Sequence, residues 1–316
     1  MKASFVVANY MCSRTFLQPP VEFFTVAALL KKRGYYVQVC DFRVLNQTTS
    51  EATRTIDADA DLIVISVSPY DMPQMYHMDY RYRYTEYFDR VVKAAFPHAV
   101  VFAEGAQCTL KPEEFLRHTG LNGVMLWEIE RTVCDLADAV AQARPLENVP
   151  NLVLSTPAGK FTRTAYDERY AYPDETYFDV MPLWELADFS GYFGYDLEKE
   201  KHSRLYRWGV ILGARGCAFS CAFCFNFYKN RTRYRPVQHV ADEMEYLSSL
   251  VISLIGTQVD TTPIGAGADG RCRLPLRFSM FRIILCPTAR ISRLCEPRRT
   301  AVEFSAALRP APLRCP

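Results

Sequence analysis

Apolar and polar positions alternate between two rhythms along the first 145 residues. Lys2–Ala8 is a short continuous apolar run and predicts a first strand. Pro20–Arg33 carries Phe23, Val26, Ala27 and Leu30 at helical spacing and stops at Gly34, a natural helix terminator. Tyr35–Cys40 predicts a second strand. Leu62–Val67 is continuous and β-branched, the pattern of a central strand covered on both faces. Tyr80–Phe96 predicts a helix, Ala99–Ala103 a strand, Pro112–His118 a short helix, Gly123–Leu126 a strand and Glu130–Ala143 a helix. Five β–α units in succession predict an α/β fold, a doubly wound parallel sheet with helices on both faces. Such sheets bind ligands beyond the carboxyl ends of their strands, where strand order reverses. The loops concerned are 9–19, 66–79 and 104–111. No G-x-G-x-x-G follows the first strand, which argues against a nicotinamide dinucleotide site.

Further along, Asn151–Ala165 predicts a hairpin turning at Pro157-Ala158-Gly159. Residues 166–206, rich in Tyr, Asp and Glu, read as a connector laid over a neighbouring domain. Trp208–Leu212 is a short strand, and Pro236 opens a helical pattern through Val240, Met244 and Leu247. Arg231, Arg233 and Arg235 read as a solvated or connector stretch, and the tyrosines between Tyr76 and Tyr87 as packing residues.

Composition adds exclusions. The formal net charge of the 316 residues is +2, which gives no support for non-specific nucleic-acid binding. Apolar stretches such as Leu62–Ile65 fall far short of the ~18–20 residues of a membrane span. The apolar run at the N-terminus is too short for a signal peptide, so the 11 cysteines are expected as reduced thiols in a cytoplasmic protein. The average hides an asymmetry: all 19 tyrosines and every Lys, His, Asn and Trp precede residue 248, while the 69 residues that follow hold ten Arg and seven Pro.

The sharpest chemical feature is Gly216-Cys217-Ala218-Phe219-Ser220-Cys221-Ala222-Phe223-Cys224, a C-x3-C-x2-C loop between a strand and a helix. Structural zinc normally takes four ligands, often in CxxC pairs, and no second pair exists here. A plain ferredoxin also uses four cysteines per cluster. Three thiolates leave one iron of a [4Fe–4S] cluster open to bind a further ligand; zinc and simple burial of the thiols are the other readings.

With Arg215 before it and Phe223 before the third cysteine, this loop resembles the signature of the radical S-adenosylmethionine enzymes. The resemblance implies Cys217, Cys221 and Cys224 as ligands of a [4Fe–4S] cluster. It also implies S-adenosylmethionine on the open iron, Phe223 near its adenine, and cleavage to a 5′-deoxyadenosyl radical. Phe16-Leu17-Gln18-Pro19-Pro20, Val26–Tyr35 and Asp41 resemble the cobalamin-binding domain fused to many members of that family. Glu104-Gly105-Ala106-Gln107 stands where the family has a Gly-Gly-x-His-like turn, and Trp127-Glu128-Ile129-Glu130 where it has Gly-Glu-x-Glu. The cobalamin contacts so implied are Ser66, Ser68, Glu104, Gly105, Gln107 and Glu128. No D-x-H-x-x-G loop is present, and His77 reads as a surface residue, so no histidine is expected beneath the cobalt.

The expected organisation is a cobalamin-binding domain over 1–147, a hairpin and connector over 148–206, the start of a radical (β/α) barrel over 207–247, and an atypical tail over 248–316. A full barrel needs several more β–α units than the tail can supply. The tail's composition is what out-of-frame reading of a GC-rich gene produces, so the chain as written is expected to be truncated or frameshifted and inactive. The activity implied is cobalamin-dependent methylation of an unreactive carbon or phosphorus centre of a small-molecule substrate, with flavodoxin or ferredoxin as electron donor. Ring closure or rearrangement, and a non-catalytic cofactor-binding protein, are the alternatives.

Overall fold

The computed structural model describes residues 1–8, 18–45, 48–67, 78–156, 158–194, 206–216, 231–250, 254–258 and 282–285. All belong to one unit, Met1–Cys286.

Strands β1 (Lys2–Val7), β2 (Tyr36–Asp41), β3 (Leu62–Ser66), β4 (Val100–Glu104) and β5 (Gly123–Met125) pair in parallel. β6 (Leu152–Ser155) and β7 (Phe161–Arg163) extend the same sheet antiparallel, in the order β2-β1-β3-β4-β5-β6-β7. The parallel portion is thus doubly wound, with its switch point between β1 and β3. Each residue of β3 is buried, as its unbroken apolar run requires of a strand covered on both faces.

Helices α1 (Val21–Lys32), α2 (Phe42–Leu45), α3 (Thr49–Thr55), α4 (Met78–Ala95), α5 (Ala106–Leu110), α6 (Pro112–Thr119) and α7 (Glu130–Ala141) lie in the connections. α1 packs with α7, while α4 packs with α3 and α6, the two groups a doubly wound sheet needs. The Thr48 side chain accepts from the Glu51 amide while the Glu51 carboxylate accepts from the Thr48 amide, so α3 begins with a capping box. Phe5, Phe23, Phe102, Phe115 and the aliphatic strand residues fill the main core.

The connector packs inward. α8 (Glu168–Ala171), α9 (Glu175–Phe178) and a 3-10 turn at Trp184–Leu186 lead to Phe189 and Tyr192. Trp184 and Tyr192 are buried in a second core with Val21 and Phe24 of α1. The same core takes in Val210, Ile211 and Leu212, and Leu247 further on. One apolar cluster therefore joins the first helix of the sheet domain to the elements beyond residue 206.

Those elements are β8 (Phe193–Gly194), β9 (Tyr206–Leu212), β10 (Ala214–Gly216), β11 (Thr232–Tyr234), α10 (Val237–Ser249), β12 (Leu254–Gln258) and β13 (Arg282–Leu285). β9 and β12 pair in parallel across α10, one β–α–β unit of the kind that builds (β/α) barrels. β13 then pairs antiparallel with β12. Among the described residues no helix is long and apolar enough to cross a membrane.

Candidate functional site

The carboxyl edge of the parallel sheet gathers most of the described residues expected to bind a cofactor. The register aligns Val7 with Ser66 and Ser66 with Glu104, so three neighbouring strands end level. Ser66 is buried, and the Val67 amide donates to the Glu104 carbonyl at 3.0 Å. Gly105 follows at φ 123° and ψ −177°, a conformation essentially confined to glycine. It brings bare backbone to the strand end just before α5, whose second residue is Gln107. Burial pushes the Glu104 carboxyl up to about 8. A hydrogen bond to Ser66 and the charge of Arg215 oppose that rise, while Glu22 and Glu130 reinforce it. Cys108 beneath this turn is buried, and burial raises its thiol well above the ordinary range.

The next strand end carries a different arrangement. Trp127 has a left-handed backbone, φ 68°, and its amide donates to the Thr109 hydroxyl at 2.9 Å. The bend sends Glu128 and Glu130 into the protein, where their side chains are 4% and 0% exposed. Both meet guanidinium groups from the β10–β11 hairpin. Glu128 is 3.6 Å from Arg215 through Oε2 and paired with Arg233 through Oε1, and Glu130 is paired with Arg215. Burial raises the Glu128 carboxyl to about 7 against the pull of Arg215 and Arg233. Glu128, expected among the cobalamin contacts, has its two oxygens directed at these arginines.

β10 and β11 pair antiparallel, with Ala214 opposite Tyr234, Arg215 opposite Arg233 and Gly216 opposite Thr232. This stem brackets residues 217–231, the stretch that contains the C-x3-C-x2-C loop. Gly216 has φ 98°, and a Cβ there would overlap the carbonyl oxygen of Arg231. Cys217, Cys221, Cys224 and Phe223, like Ser68 and His77, lie outside the described residues.

The expectation of a solvated arginine stretch holds only for Arg231, which pairs with Glu168 at the surface at 2.9 Å. Arg235 is 4% exposed; its Nε donates to Asp179 at 2.8 Å and its Nη1 to Glu243 at 2.5 Å and to the Leu212 carbonyl at 3.1 Å. Glu243 also accepts from the Trp184 indole at 3.0 Å. Sequence reasoning missed these pairs because Asp179 stands 56 residues from Arg235 and Trp184 59 residues from Glu243, and because the Arg235–Glu243 pair spans the start of α10.

Among the described residues no group of His, Cys, Asp and Glu is arranged to hold a metal ion. A cleft of about 250 Å³ is lined by Lys32, Asp179–Met181, Arg235, His239 and Asp242, and contains none of the carboxyl-edge residues.

No known family pattern matches the sequence, and no curated protein does. Solved structures do. The radical S-adenosylmethionine methyltransferase TsrM from Kitasatospora setae, solved with cobalamin and a [4Fe–4S] cluster, aligns over 80% of this chain with a TM-score of 0.63 and 18% identity. Over 80% of its length, the chain shares the fold of that structure. A second structure of TsrM, with a tryptophan substrate and an S-adenosylmethionine analogue bound, aligns over 81% with a TM-score of 0.58 and 18% identity. OxsB, a cobalamin-dependent radical enzyme solved with aqua-cobalamin and S-adenosylmethionine, aligns over 85% with a TM-score of 0.63 and 17% identity. The chain spans 47% of the length of TsrM and 35% of that of OxsB.

Proposed function

We propose that this chain is a cobalamin-dependent radical S-adenosylmethionine enzyme, a methyltransferase for an unreactive carbon or phosphorus centre of a small molecule or natural-product intermediate. One observation carries the reading: a C-x3-C-x2-C loop whose stem is ion-paired to the carboxyl edge of a doubly wound sheet. The likeness in fold to TsrM and OxsB supports it.

The chain's own residues fit such cofactors. Cys217, Cys221 and Cys224 would supply three thiolates to a [4Fe–4S] cluster and leave one iron for S-adenosylmethionine, which Phe223 would help to hold. At the sheet edge, the bare backbone of Gly105 admits a large ligand, and Ser66, Ser68, Glu104 and Gln107 offer hydrogen-bonding groups to its amides and nucleotide tail. When bound, the cluster and cobalamin supply one-electron cleavage of S-adenosylmethionine and methyl carriage; the protein binds, orients and excludes water. The boundaries we adopt are 1–147 for cobalamin, 148–206 for the connector, 207–247 for the barrel start and 248–316 for the tail. A flavodoxin or ferredoxin is the electron donor of this reading.

The test is anaerobic reconstitution of the full chain with iron, sulfide and hydroxocobalamin, followed by electron paramagnetic resonance and visible spectra. Reduced protein should show a [4Fe–4S]⁺ signal that Cys217→Ala, Cys221→Ala and Cys224→Ala abolish and that changes at Cys12, Cys40, Cys108 or Cys134 leave intact. A cluster that survives loss of Cys221 overturns the assignment. Hydroxocobalamin should bind with a visible spectrum unchanged by His77→Ala.

A further inference from the structure

We infer that Glu128 is a positioning residue for the iron–sulfur cluster: one carboxylate on the sheet domain closes the mouth of the cysteine loop by holding both of its strands. The inference rests on the function proposed above and assigns Glu128 to that work instead of to cobalamin.

The argument starts from charge. Arg215 and Arg233 stand directly opposite each other in the antiparallel stem. Directly opposed residues share a face of a ladder, and like charges there repel. Both side chains are largely shielded from water, at 8% and 18% exposure, so solvent screens little of that repulsion. Glu128 offsets it: Oε1 is hydrogen-bonded to Arg233, and Oε2 faces Arg215 as an ion pair at 3.6 Å. Glu130 sets a second carboxylate against Arg215. Arg233 is further fixed by donating to the Pro173 carbonyl at 2.5 Å.

Position gives the cluster its meaning. Arg215 lies two residues before Cys217, and Gly216 between them is held against the Arg231 carbonyl by a backbone that tolerates no side chain. The first cysteine thus leaves a stem whose separation and facing are set by one carboxylate. That carboxylate stands at the end of β5, on the same sheet edge as Glu104 and Gly105. Removing it frees two facing cations at the stem and takes a negative charge from the strand that leads into the first cysteine.

The experiment compares the anaerobically reconstituted full chain with its Glu128→Gln and Glu128→Asp variants. Iron content, the rate of cluster loss to a chelator, the midpoint potential of the cluster and hydrogen exchange of the β10 and β11 amides are measured on each. Glu128→Gln should lose its cluster and exchange the stem amides about tenfold faster or more, as loss of a buried partner opens that region first. Its midpoint potential should move positive, and Glu128→Asp should recover part of both effects. A potential shift separates an effect on the cluster from general destabilisation. Arg233→Lys is the second variant, kept in case Glu128→Gln does not fold, because Arg233 is the more exposed arginine; it should speed stem exchange and cluster loss in the same direction. A parent chain that assembles no cluster overturns the proposed function and this inference with it. A parent cluster whose potential, chelation rate and stem exchange are unchanged in Glu128→Gln overturns the clamp alone.

Discussion

Replacing Arg235 by Met should be the most damaging single change in the second core. Arg235 is 4% exposed, and the carboxylates it serves, Asp179 and Glu243, are 6% and 0% exposed. Removing one member of a buried pair costs about 3–5 kcal/mol, because the charge left behind has lost its compensation. A surface pair contributes about 0–1 kcal/mol, so Arg231→Met, which breaks the exposed contact with Glu168, is the matched control. The loss should depend on pH. Burial already raises the Glu243 carboxyl, and Arg235 is the largest influence opposing that rise. Without the arginine it rises further. A folded state whose carboxyl is raised holds its proton more tightly than the unfolded chain, so stability falls as pH climbs from the ordinary carboxylate range towards the folded value. The deficit of Arg235→Met should therefore be larger at pH 8 than at pH 5.5, and adding Glu243→Gln should recover much of the difference. Urea unfolding followed by tryptophan emission reads this directly, since Trp184 is buried and donates to Glu243. A loss below about 1 kcal/mol at pH 8, or one that pH leaves unchanged, would refute the reasoning.

Three further outcomes are expected. Glu104→Gln should remove a fall in stability between about pH 4.5 and 8, because the parent carboxyl is raised to about 8; the variant should be the more stable at pH 8, by on the order of 4 kcal/mol, and equal to the parent near pH 4. Gly216→Ala should cost at least ~2 kcal/mol in urea unfolding and loosen the stem amides in hydrogen exchange, since it adds a Cβ where φ is 98° and Arg231 is in the way. Cys40 and Cys134, whose thiols burial raises to about 12, and Cys108, raised well above the ordinary range, should resist alkylation at pH 7.5 until the chain unfolds; rapid labelling of Cys108, seen by mass spectrometry, would contradict its burial.

How much of this was legible depended on whether a residue's partners lay nearby in sequence. The strands were, because an uninterrupted run such as Leu62–Val67 has few other ways to be buried, and β3 ends within one residue of that run. The hairpin at 151–165 was legible as a hairpin, but its antiparallel docking onto β5 is a long-range event. Helix α3 was overlooked although Thr48-Thr49-Ser50-Glu51 spells a capping box, because the segment has too few apolar residues to show a period. Trp184 and Tyr192 stand in an aperiodic stretch, and their burial is decided by Phe24 and Val21, some 160 residues earlier. Of the site, the cysteine spacing and the sheet-edge positions were readable as motifs. The partners of Arg215 were not, since nothing local to it states that a carboxylate after β5 will meet it.

The three arginines around β11 show why this junction is built from charge. β11 spans Thr232–Tyr234, so Arg233 stands within the strand and Arg231 and Arg235 flank its two ends. Each meets acids from a different place: Glu168 from α8, Glu128 from beyond β5, and Asp179 with Glu243 from beyond α9 and from α10. A one-residue slip of β11 would turn Thr232 or Tyr234 towards Glu128 and leave that buried carboxylate without Arg233. An apolar face would also resist a one-residue slip, because its side chains would turn to solvent, but a charged residue adds a requirement for one particular partner. Buried ion pairs gain little net stability over well-packed apolar residues. Here they make the wrong register expensive, and the register of β10 and β11 sets where the cysteine loop leaves and re-enters the protein.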